Sequence, residues 1–124
     1  MHRVVVTLLV LLFAHSAWAE WVKYDERPVA SSYYDSATVK KGGNMVRVWV
    51  FTNLWTRVDG QWSRRALLEF DCNEERNRIL QQTSFSGPMM SGEIDSEYSF
   101  VRAGKWKDIL PGSPRATLQS IVCQ

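Results

Sequence analysis

The sequence predicts an α+β domain, an antiparallel sheet followed by a single C-terminal helix that packs on it and is tied to it by a disulfide. Three observations predict this. Apolar alternation of period two recurs between regularly spaced turn residues, as half-buried strands require. After Ser113-Pro114 the apolar spacing lengthens to that of a helix. The chain holds two cysteines, Cys72 and the penultimate Cys123, behind a start that resembles an export signal, a setting in which an even count reads as a disulfide.

Residues 1–19 carry the three parts of a secretory signal: Arg3 in a short basic start, an apolar stretch from Val4 to Ala14, and the small-x-small ending Ala17-Trp18-Ala19. The expected organisation is a cleaved signal peptide over 1–19 and one domain over 20–124. The apolar stretch is shorter than the ~20 residues a spanning helix needs, and no later segment reaches that length, so no transmembrane segment is expected. The residue after the cut is Glu20, where a lipid-anchored bacterial protein has a cysteine. Both histidines, His2 and His15, leave with the signal, and with them go the commonest general base and the commonest transition-metal ligand. The formal net charge of +2 also loses Arg3, and a near-neutral domain lacks the clustered basic footprint that nucleic-acid binding needs.

In the mature chain, Trp21 to Asp25 reads as a first strand and Ser32 to Asp35 as a second. Gly42-Gly43-Asn44 supplies residues that tolerate the positive φ of a tight hairpin turn. Met45 to Asn53 is the clearest strand, with Val46, Val48 and Val50 on one face and Arg47, Trp49 and Phe51 on the other. Apolar residues on both faces predict a central strand, partly covered on its second side. A longer connection is expected from Leu54 to Gln61, containing Asp59-Gly60, before a strand from Trp62 to Cys72. There Ala66, Leu68, Phe70 and Cys72 share a face, which points Cys72 inward. Asn73-Glu74-Glu75 turns the chain into a strand from Arg76 to Phe85, and beyond Ser86-Gly87-Pro88 a last strand is expected within Glu93 to Val101.

The helix starts at Ser113, a good N-cap, with Pro114 at the first position, where its missing N–H costs nothing. Pro114, Leu118, Ile121 and Val122 form its expected apolar face. About ten residues are too few for a helix to stand alone in water, so sheet packing and the Cys72–Cys123 bridge must hold it. Closing a loop of this length adds about 4 kcal/mol in the chain-entropy model, so the bridge is expected to be structural.

Trp21-Val22, Tyr33-Tyr34-Asp35, Val46-Arg47-Val48-Trp49, Glu69-Phe70-Asp71-Cys72 followed by Arg76 and Arg78, and Pro111-Gly112-Ser113 leading to Cys123 together resemble the surface-adhesin protein E family of Gram-negative envelope proteins. The resemblance spans nearly all of the mature chain. It implies a single antiparallel sheet of about six strands with the C-terminal helix tied on by the disulfide. It also implies an envelope location and binding to host matrix proteins such as vitronectin and laminin.

Four features are candidates for chemistry or recognition. Glu69, Asp71, Glu74 and Glu75 lack the spacing of a calcium loop, and Glu69 and Asp71 lie opposite Arg76 and Arg78 across a turn, which predicts cross-strand ion pairs. Six tryptophans are many for so small a chain, and most are expected in the core, Trp49 among them. Trp55 and Trp62 flank the segment containing Arg57, and tryptophan and arginine are enriched at binding hot spots, so Trp55, Arg57 and Trp62 form the expected recognition site. Met89-Met90 suggests a flexible apolar patch rather than a copper site, and Lys40-Lys41 and Arg64-Arg65 read as solvated charge.

No nucleophile–base context is visible, and no enzyme activity, metal or cofactor is expected. The expected role is a non-enzymatic exported envelope protein that binds a protein ligand, either a host matrix protein or an envelope component. The alternative is a soluble periplasmic module with no host ligand that binds an envelope protein or a small apolar molecule. The periplasm is the first expected location and the cell surface the second. Unpaired strand edges also allow a homodimer.

Overall fold

A computed structural model of the chain describes residues 19–58, 60–99 and 104–124. The expected signal peptide up to Trp18, Asp59 of the expected connection, and Phe100 and Val101 of the last expected strand lie outside the described residues.

The strands are β1 (Trp21–Arg27), β2 (Ala30–Asp35), β3 (Lys40–Gly42), β4 (Met45–Val58), β5 (Gln61–Asp71), β6 (Arg76–Phe85), β7 (Ile94–Ser99) and β8 (Lys107–Asp108), and the helix α1 is Pro114–Val122. All the strand pairs are antiparallel and belong to one sheet, with six strands in the order β1-β2-β4-β5-β6-β7. The two short strands are additions: β3 extends β4 as a hairpin and β8 lies beside the start of β6. Gly43, at φ 60°, opens the two-residue turn between β3 and β4, a position that disfavours side chains other than glycine's.

Alternation sets the layers. Val46, Val48 and Val50 of β4 and Ala66, Leu68 and Phe70 of β5 face α1, with Val46 opposite Phe70 and Val48 opposite Leu68. Leu118 and Val122 of α1, together with Ile109, close over this layer, and Tyr24, Tyr34 and Ile79 pack at its margin. The Ser113 hydroxyl accepts the Ala116 N–H as the N-cap, and Pro114 occupies the first position. The Cys123 end is fixed by the disulfide to Cys72, a separation of 51 residues. Gln119 adds a second tie, donating from Nε2 to the carbonyls of Asp71 and Glu74.

Three expectations change. The connection from Leu54 to Gln61 is absent: β4 continues to Val58 and β5 begins at Gln61. The pairing register shifts between Asn53 and Val58, and this irregularity breaks the alternation that marks a strand in sequence. Ile121 is not on the buried face, because Leu118 and Val122, one turn apart, define the seam and leave Ile121 36% exposed. Trp49 is only half-buried, since it lies on the sheet face opposite α1.

Candidate recognition surface

β4 overruns its neighbours. Past Asn53 its backbone leaves the regular ladder with β5 and instead donates the Trp55 N–H to the carbonyl of Val29, in the turn between β1 and β2. Val58 pairs with Gln61, and Gly60, at φ 78°, closes the hairpin tip. Trp55 and Arg57, two residues apart on an extended strand, share one side of this arm. Trp55 is 51% exposed, Arg57 is exposed, and Val29 (66%) and Val58 (45%) are bare beside them. Trp62 lies on the returning arm and is half-buried. The three expected recognition residues thus belong to one hairpin, but they stand on strands and not in a loop, and only Trp55 and Arg57 are fully presented.

The sheet face opposite α1 carries a second arrangement, which sequence reasoning only partly found. Tyr33 stacks on Phe51 at 4.5 Å and Trp21 meets the Phe51 ring edge-on at 4.8 Å. Along the strands, Lys23 lies over Tyr33, Arg65 over Trp49, and both Arg76 and Arg78 over Trp106, the closest at 4.2 Å. Such pairs let a guanidinium lie partly desolvated on a ring face. The alternation Arg47-x-Trp49-x-Phe51 was the visible signal for this face. The contribution of Trp106, more than twenty residues beyond β6, had none.

Carboxylates lock the arginines in register. Glu69 accepts from Arg47 Nε at 2.7 Å and from Arg78 Nε at 2.8 Å, and Asp71 accepts from Arg76 at 2.9 Å. The expected pairs of Glu69 and Asp71 with the β6 arginines are present, and Arg47 joins from the other neighbouring strand. The carboxylates are buried, with side-chain exposures of 3% for Glu69 and 6% for Asp71, which ordinary surface pairs are not. Burial alone raises the Glu69 pKa, but the hydrogen bonds and charges of Arg47 and Arg78 outweigh it and hold the carboxyl below its usual range. At Asp71 desolvation is likewise overcome, by Arg76 and by the backbone N–H groups of Asn73 and Glu74.

These depressed values predict an acid dependence. The stabilisation is complete above the unfolded carboxylate value of about 4 and is lost as pH falls through the lower folded value. Thermal melts should therefore fall progressively below about pH 4, and Glu69→Gln should flatten that slope. At neutral pH the substitution is expected to cost about 1.5–3 kcal/mol, the range for hydrogen bonds to charged groups, and no more, because Arg47 (55% exposed) and Arg78 (26%) can turn to water. Parallel melting curves for wild type and variant across pH would show that the clasp contributes nothing.

Beside the overhanging arm, the segment Pro88–Met90 folds back over the sheet. Met89 and Met90 both have positive φ, at 54° and 61°, a costly backbone for side chains of this size. Their N–H groups compensate by reaching the buried Asn53 Oδ1 and Ser63 Oγ at 2.8 and 2.9 Å. The methionine pair therefore satisfies two buried polar side chains at the base of the hairpin, while Met89 remains 53% exposed.

A family model described as surface-adhesin protein E matches residues 21–124. The fold is similar to solved structures of Haemophilus influenzae protein E. Crystal form II is 14% identical, over 82% of this chain and 95% of that chain, with a TM-score of 0.56. The selenomethionine form is 12% identical, over 81% and 89%, also at 0.56. Protein E from non-typeable Haemophilus influenzae is 12% identical, over 86% and 85%, at 0.52. At such identities the likeness is one of fold. No curated protein matches the chain at a significant level.

Proposed function

Because this chain belongs to the surface-adhesin protein E family, we propose that it is a non-enzymatic, exported envelope protein that binds a protein ligand through the β4–β5 hairpin. The observation that carries this reading is that Trp55 and Arg57 are exposed together on one side of the arm, with Val29 exposed where its carbonyl accepts the Trp55 N–H. A flat aromatic, a small apolar side chain and a guanidinium make a compact hot spot. The ring excludes water while the guanidinium pairs with an acidic or carbonyl group on the ligand.

Export is supported by the residues at the expected cut. Glu20 N donates to Asp35 Oδ1 at 2.9 Å, and Asp35 is buried. A chain cleaved after Ala19 places its new α-ammonium beside that carboxylate, turning a hydrogen bond charged on one side into an ion pair. Among the described residues, no helix is long and apolar enough to cross a membrane. On this reading the mature protein works in the periplasm, or at the cell surface where a partner retains it.

The test is binding of the mature protein to immobilised vitronectin and laminin, with Trp55→Ala/Arg57→Ala as the comparison. Because both side chains are exposed, the double variant should melt within a few degrees of wild type yet bind at least tenfold more weakly. A large fall in melting temperature would assign the arm to the core and sink the hot-spot reading. Wild-type protein that ignores both matrix proteins would remove the host-ligand reading and leave an envelope partner, to be sought by crosslinking in the periplasm.

A further inference from the structure

The end of the sheet far from the hairpin holds a cleft of about 380 Å³, bounded by the start of β6, the chain through Gly104 and β8, and the beginning of α1. Gly104 makes the cleft possible. Its N–H donates to the Ile79 carbonyl at 3.0 Å, and a Cβ on Gly104 would lie 2.8 Å from that same oxygen. The crossing backbone is thereby drawn against β6, with open space left beside it.

The walls have two chemistries. Ile79, Ile109 and Leu110 supply an apolar side, Ile109 buried and Leu110 71% exposed at its rim. The polar side is basic: among the described residues Lys105, Lys107 and Arg115 border the cleft against a single acid, Asp108. Arg78 also borders it, but its charge is already met by Glu69. Arg115 is the telling group. Its five N–H donors have one acceptor among the described residues, the neutral Asn77 Oδ1 at 2.6 Å. Arg115 is half-buried, and burial lowers its pKa, partly opposed by Tyr24.

The geometry points to a second binding site, one for a small amphipathic anion whose carboxylate or phosphate head meets Arg115, Lys105 and Lys107 while a short acyl body lies along Ile79, Ile109 and Leu110. The volume is within the range of small-molecule sites, and the excess of cations over Asp108 selects the sign of the ligand. A guanidinium with free donors in a fork suits an oxyanion better than any other partner. The site shares no residue with the hairpin, so it stands or falls independently of the hairpin's role.

The experiment is amide-resolved NMR titration of the mature protein with three probes: octanoate, inorganic phosphate and octyltrimethylammonium. Octanoate should give saturable shifts at Gly104, Lys107 and Ile109. Phosphate should bind at least tenfold more weakly, and the cationic amphiphile should leave these amides unmoved. Lys105→Glu/Lys107→Glu, two exposed positions whose exchange spares the core, should weaken octanoate at least tenfold. Lys40→Glu and the hairpin double variant should leave it unchanged. Equal binding of octanoate and octyltrimethylammonium would reduce the cleft to an apolar patch, and equal binding of octanoate and phosphate would show that the acyl body has no seat. Either result overturns the proposal, as does octanoate binding that survives the double lysine exchange.

Discussion

Replacing Cys72 and Cys123 by alanine should lower the unfolding free energy by about 4 kcal/mol and the melting temperature by roughly 15 °C or more. The bridge closes a loop spanning 51 residues, and in the chain-entropy model that loop length sets the stabilisation. The location matters as much as the length. α1 has nine residues, too few to be helical by itself, and it meets the sheet chiefly through Leu118 and Val122. With the bridge gone, the last turn is held to the sheet by non-covalent contacts alone: the packing of Val122, the hydrogen bonds from Gln119 to Asp71 and Glu74, and the Lys41 ammonium on the Gln124 carbonyl. Urea unfolding of the oxidised wild type and the double alanine variant provides the measurement. A difference below about 1 kcal/mol would mean that core packing alone seats the helix.

Leu118→Ala should cost about 3 kcal/mol, whereas Ile121→Ala, three residues on, should cost less than about 1 kcal/mol. Leu118 is fully buried against the β4–β5 layer, so its truncation leaves a cavity between sheet and helix that rigid strands cannot collapse to fill. Ile121 already meets water. Since small domains have only about 5–15 kcal/mol in total, Leu118→Ala combined with loss of the disulfide should leave α1 undocked, and the two changes should not add, because they act on the same helix. Amide exchange in α1 reports this directly. Equal destabilisation by Leu118→Ala and Ile121→Ala would overturn the placement of the buried seam.

The two sheet faces differ in how openly the sequence displays them. Val46, Val48 and Val50 against Ala66, Leu68 and Phe70 are visible as alternation, because a period of two is imposed by the pleat of each strand. The ion pairs of Glu69 and Asp71 are visible too, since a short turn brings the two strands back in register. The Arg47 contact to Glu69 depends on the pairing of β4 with β5, and the Trp106 contacts depend on a chain that returns from beyond β7, so neither follows from local spacing. The hairpin arm was missed for a different reason. Between Asn53 and Val58 the register with β5 shifts, so the alternation that marks Met45 to Asn53 as a strand does not continue in phase to Val58.

By itself the sequence determined the order of the six long strands and the helix, though not the short β3 and β8, together with the Ser113 cap, the identity of the cysteine pair and the family. Each depends on local periodicity, on turn and cap chemistry, or, for cysteines 51 residues apart, on the chain holding only two. Only the tertiary structure decided that Trp55 and Arg57 project from an extended strand, that Glu69 is clasped from both sides, and that Arg115 and the two lysines border one cleft. Those arrangements arise from register shifts and from segments tens of residues apart, where the free energy of packing, and not local conformational preference, selects the neighbour.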